Sequence, residues 1–125
     1  MSDSLLKALL IFIAAATVVS GLAQMMASGT IFGIIAAAPT PAGAHLFATI
    51  GMFMVITGAM FLQVLLTRSA ERAVPLWIGV QKALAAILVP MAVVKGYFLW
   101  PSLGVAAFDA ASAVLVLMFW WRSKP

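Results

Sequence analysis

The chain has 125 residues, of which 66% are hydrophobic and 8% charged, with 7 basic residues, 3 acidic residues, 1 histidine and no cysteine. An average soluble domain carries about 25% charged residues, so this composition excludes an ordinary soluble fold, and the missing thiols exclude disulfides, thiolate metal sites and cysteine nucleophiles in this chain. The net charge of +4 is spread along the chain with no dense basic stripe, which argues against a nucleic-acid partner.

A bilayer core about 30 Å thick needs roughly 20 apolar helical residues. Four segments reach that length: Leu5 to Met26, His45 to Leu66, Pro75 to Trp100 and Pro101 to Trp121. Each is about twice as long as a barrel strand of roughly 10 residues and none alternates, so helices are expected. The expectation is an all-α integral membrane four-helix bundle, a single domain over 1–125. The first segment also has the outline of a signal peptide, with Lys7, the apolar run Ala8 to Val19, and Gly21-Leu22-Ala23 as a cleavage site. A retained span is expected instead.

Between the first two spans, Ala27 to Ala44 is long, apolar and uncharged, and is broken by Pro39, Pro41 and Gly43. It is too short to span and reads as an interfacial or re-entrant segment. Its Gly29 and Gly33 form a GxxxG pair outside any full span, which weakens a dimer-motif reading. Thr67 to Val74 is short, polar and basic and should make the second and third helices neighbours. Trp100-Pro101-Ser102 leaves two or three residues to reverse direction, so the third and fourth helices should pack antiparallel. Pro90 should kink the third helix.

Lys7, Arg68, Arg72, Arg122 and Lys124 all flank the spans on one side, which by the positive-inside rule is the cytoplasm. Both termini are then cytoplasmic, in what is expected to be a bacterial inner membrane. Trp77, Trp100, Trp120 and Trp121 fall at span ends, where interfacial rings sit. The 8 methionines read as flexible packing rather than a thioether metal path.

Polar side chains gather on one face of each helix at 100° per residue. Thr17, Ser20 and Gln24 do so in the first span, His45, Thr49 and Gln63 in the second, Gln81 and Lys95 in the third, and Ser102, Asp109 and Ser112 in the fourth. The small residues Ser102, Ala106 and Ala110 allow close helix approach. The expected ligand-binding or polar interior comprises Gln24, His45, Thr49, Lys95, Asp109 and Ser112. A Lys95–Asp109 ion pair across the tight turn would neutralise two charges in lipid. The alternatives are that Lys95 snorkels to the headgroups and Asp109 is protonated or bonded locally. Lys82 is expected to snorkel, and Glu71 to be a solvated loop charge.

One histidine without cysteine cannot close a zinc site, so no metal is assigned. Axial haem ligation by His45 has nothing to support it. The sequence identifies no cofactor and no catalytic residue.

The Trp77-x-Gly79-x-x-Lys82 start of the third helix, Asp109 in the fourth and the four-span length resemble small DoxX-like bacterial inner-membrane proteins and neighbouring uncharacterised groups. That resemblance implies a four-helix bundle, sometimes associated with quinone-linked redox partners, and carries over no functional residue. The functional expectation is a non-catalytic binder of an apolar or amphipathic molecule, or an accessory subunit of a membrane complex. A small transporter or channel and a membrane enzyme acting on a lipid or isoprenoid are the alternatives. The expected partners are the bilayer, an apolar or amphipathic small molecule, and another membrane protein or a second copy.

Overall fold

Local chemical cues set several of the helix ends. The computed structural model describes residues 1–124, and among these the chain is all-α. Its helices are α1 (Asp3–Met26), α2 (Ser28–Ile35), α3 (Pro41–Leu66), α4 (Ala73–Val94) and α5 (Ser102–Arg122). Ser2 caps α1 by accepting from the Leu5 N–H, with Asp3 in the first turn. Thr40 caps α3 by accepting from the Gly43 N–H, and Pro41 follows at the first position, where its missing N–H costs nothing. This cue moves the start of α3 back from His45 to Pro41.

The C-termini of α3 and α4 close in the same way. At α4, Gly96 takes φ +79° and lets the Tyr97 N–H reach the Ala92 carbonyl and the Gly96 N–H reach that of Val93. At α3, Arg68 takes the equivalent left-handed place at φ 52°, with the Ser69 N–H on the Val64 carbonyl. The stop at Gly96 shortens the third span. The helix ends at Val94 rather than Trp100, and residues 95–101 make the turn. Pro90 lies inside α4, which is assigned as one continuous helix through it.

Four helices, α1, α3, α4 and α5, are long and apolar enough to cross a membrane. Their outward faces carry large apolar side chains such as Phe12, Phe53, Val94 and Val114, as expected of a helical membrane protein whose outer solvent is hydrocarbon. The fifth, α2, occupies the first connection. It has no buried residue and rests on α3, where the Phe32 and Phe47 rings lie 5.6 Å apart. A Cβ on Gly43 would fall 2.7 Å from the Phe32 ring, so that glycine makes room for α2. Gly29 and Gly33 face open space.

Packing divides the long helices into two pairs, α1 with α3 and α4 with α5, and contact between α3 and α4 is sparse. The short Thr67 to Val74 link therefore joins two hairpins without packing α3 along α4. In the first pair the backbones touch: a Cβ on Gly51 would sit 2.6 Å from the Gly21 carbonyl oxygen, and one on Gly58 2.9 Å from Val18. In the second pair Gly79 accommodates Leu117.

The hairpins meet over a core of Leu6, Leu10, Ile13, Ala14, Phe61, Leu65, Ile78 and Val116. All of it lies in the half of the bundle that holds both termini and the α3–α4 link, here called the basic end. Arg72 donates to the Trp120 carbonyl and stacks over its ring, while Arg122 donates to the Met1 carbonyl and lies 3.4 Å from Asp3. Glu71 is exposed, but it accepts from the Ala73 and Val74 N–H groups and so caps α4. The bonds from Val74 and Ala73 hold its pKa below the usual carboxylate value. At the opposite end, residues 35–37 and 97–99 form a short antiparallel bridge, with the Leu99 N–H on the Ile35 carbonyl and the Ala37 N–H on that of Tyr97.

Candidate polar site in the bundle

Three helices bring polar groups together at mid-depth. Lys82 of α4 donates to Thr17 Oγ1 of α1 at 3.0 Å and to Asp109 Oδ1 of α5 at 3.4 Å. The Thr17 hydroxyl donates to the Ile13 carbonyl one turn back, which leaves its lone pairs facing the ammonium. The Phe108 ring lies 5.6 Å from Nζ, within cation–π range. At about 1.5 Å per residue, Thr17, Lys82 and Asp109 all lie at least ~10 Å from either end of their helices.

Lys82 therefore does not snorkel: only 3% of it is exposed. Asp109 meets Lys82 rather than Lys95. The reason is the length of the turn. With residues 95–101 outside any helix, Lys95 becomes the exposed C-cap of α4 and sits beyond the start of α5. Asp109 then looks down the hairpin to Lys82. The turn cue at Gly96 was available in the sequence as a glycine following a lysine, the usual end of a helix.

The other expected interior residues are more dispersed. Ser112 is buried one turn from Asp109 on the same helix. Gln24 is half-buried between α1 and α3, where its Nε2 donates to Met54 Sδ and its Oε1 has no partner. His45 is exposed near the start of α3. Thr49 donates to the His45 carbonyl, as a threonine in an apolar helix commonly does. These two do not join the mid-depth centre. Among the described residues no cluster of three or more His, Asp or Glu side chains could hold a metal ion.

The centre is balanced in charge but incomplete in hydrogen bonding. Lys82 directs its N–H groups at Thr17, Asp109 and the Phe108 face. Among the described residues Asp109 receives one hydrogen bond, from Lys82, on one oxygen. Its side chain keeps 12% exposure against 4% for Lys82. On the Asp109 face of α5, Ser102 and Ala106 towards the α2 end and Ser112, Ala113 and Val116 towards the basic end are all buried.

The sparse α3–α4 contact leaves an open groove of about 260 Å³, lined by Thr57, Met60, Val74, Trp77, Ile78 and Gln81 among others. It carries no charged side chain.

Comparison with known proteins finds no matching family model, no similar curated protein and no similar solved structure. The likeness to DoxX-like proteins thus extends to four apolar helices and no further.

Proposed function

We propose that this chain is a non-catalytic integral membrane protein that binds an apolar or amphipathic molecule, whose polar part docks at Asp109. One observation carries the reading. A charge-balanced pair lies at mid-depth with a carboxylate oxygen that has no partner and some access. An unmet acceptor in hydrocarbon is costly, and a bound molecule meets it. The sealed core at the basic end favours binding over passage, because Leu6, Leu10, Phe61, Leu65, Ile78 and Val116 offer no polar lining there.

Native mass spectrometry of the detergent-purified chain tests this. The expected result is a retained lipid-like mass, diminished in the charge-free pair Lys82→Met with Asp109→Leu. A chain that retains no such mass overturns the reading. So does proteoliposome flux that falls when Asp109 is changed, which would establish a transporter. The same spectrum reports copy number and any protein partner.

The orientation we infer is both termini inside a bacterial inner membrane, with α2 lying in the outer interface. It is supported by Lys7, Arg68, Arg72, Arg122 and Lys124 at the basic end. Cysteines placed singly at positions 36 and 70 should react with a membrane-impermeant thiol reagent from opposite sides. Labelling from one side alone would reject this orientation.

A further inference from the structure

We infer that the chain dimerises in the bilayer through the outward face of α4, with Gln81 of each copy hydrogen-bonded to the other across a two-fold axis along the membrane normal. This stands apart from the binding function proposed above. The spacing gives the first argument. Trp77, Gln81, Leu84, Leu88, Met91 and Lys95 follow one another at steps of four, three, four, three and four residues. Such alternating steps average 3.5 residues, the repeat of a left-handed helix pair. All six side chains are exposed, and the stripe points away from Ile78 and Lys82 on the buried face of the same helix. Trp77 and Gln81 also line the groove left by the sparse α3–α4 contact, so α3 does not cover them.

The polarity of Gln81 gives the second argument. It lies eight residues inside α4, about 12 Å from the end of the helix. It is exposed there, and among the described residues its amide makes no hydrogen bond. An unmet amide in hydrocarbon is costly. The other exposed polar side chains of the four long helices lie nearer an end: Ser20 is six residues from one, His45 four and Gln63 three. Gln81 has neither the reach of a lysine to the headgroups nor a serine's ready bond to the carbonyl one turn back.

Complementarity names the occupant as a second copy. An amide carries one carbonyl acceptor and two N–H donors, so two amides satisfy each other. Copies inserted in the same direction lay their α4 helices parallel, and a two-fold axis between them brings each residue of the stripe to its own counterpart at the same depth. Gln81 then meets Gln81 within an otherwise apolar seam, as a single polar residue sets the register of a coiled coil. A lipid tail brings no partner for the amide. Hydrocarbon gives apolar side chains no drive to associate, so hydrogen bonding and close packing hold such a pair. Lys95 ends the stripe as the exposed C-cap of α4, where two ammonium groups can part towards the headgroups.

The chain has no cysteine, so single cysteines report the contact directly. In the full chain in dilute proteoliposomes, Leu84→Cys, Leu88→Cys and Met91→Cys should each form disulfide-linked dimers under mild oxidation. Phe12→Cys on α1 and Val114→Cys on α5, at exposed apolar positions on other helices, should cross-link much less. Equal cross-linking at Phe12 or Val114, or none at the three stripe positions, overturns the inference. Gln81→Leu should raise the dissociation constant of the dimer about three- to thirtyfold as the chain is diluted in lipid, the factor of one interhelical hydrogen bond in a membrane. Gln81→Asn should restore part of the loss, and neither change should lower the unfolding temperature of the monomer, because the side chain is exposed. A dissociation constant unmoved by Gln81→Leu overturns the inference. So does a native chain that stays monomeric in these bilayers, or a native mass spectrum that shows one copy bound to a different protein. None of these outcomes bears on the binding function, which is read from retained lipid.

Discussion

Lys82 has a stem long enough to carry its ammonium towards the headgroups, and it turns inward instead. The alternative to snorkelling is a partner of opposite charge in reach, and Asp109 supplies it at 3.4 Å with Thr17 as a second acceptor. Removing one member strands the other in hydrocarbon. Lys82→Met and Asp109→Leu should each lower stability by about 3–5 kcal/mol. The double change should cost less than either alone, because it leaves no buried charge. Chemical or thermal unfolding of the four proteins in detergent measures the cycle, and additive losses would reject the pairing. Asp109 could be singled out from sequence because an acid in an apolar run demands explanation. Its partner was harder to single out, since choosing between Lys82 and Lys95 depended on reading the turn cue at Gly96.

At the scale of the helix, the cues that set boundaries are small and local, while the apolar runs that announce a span are long and imprecise. Counting apolar residues located four spans but misplaced the ends of two. Thr40-Pro41 starts α3 and Gly96 ends α4, and both are legible as capping chemistry once they are sought. The pairing of helices is harder to read. α1 and α3 approach closely because glycines at 21, 51 and 58 remove side chains from the interface, yet nothing in a single sequence says which helix each glycine faces. Gly51→Val should separate α1 from α3, since its Cβ would collide with the Gly21 carbonyl and the Gln24 side chain. Such overpacking typically costs about 1–3 kcal/mol. Gly29→Val, which projects into open space, should be nearly neutral by the same unfolding assay.

Over the whole molecule, two tight hairpins are held together at three levels. Arg122 and the apolar core hold the basic end, the Lys82 centre holds the middle, and the strand-like bridge of residues 35–37 with 97–99 holds the far end. This bridge ties the first connection to the last turn. Neither segment has a strand pattern, and their meeting depends on how the hairpins are placed, so it could not be read from sequence. Ala36 and Phe98 face each other between the two backbone bonds, an arrangement that brings Cβ atoms close. Ala36→Cys with Phe98→Cys should therefore cross-link under mild oxidation and change mobility on a denaturing gel. A pair one residue out of register, Ala36→Cys with Leu99→Cys, should cross-link much less.

The charged pair also bears on how the protein enters the bilayer during synthesis. Lys82 emerges before its counter-ion, and a lone lysine at the centre of a span opposes insertion by about 2.5–3.5 kcal/mol. Asp109 follows on the next helix, across a short turn, so α4 and α5 can neutralise each other before α1 is engaged. The favoured unit of insertion is then the α4–α5 hairpin rather than α4 alone. The remaining acceptor, Thr17, waits on a helix already made, which gives the late-arriving hairpin a fixed berth.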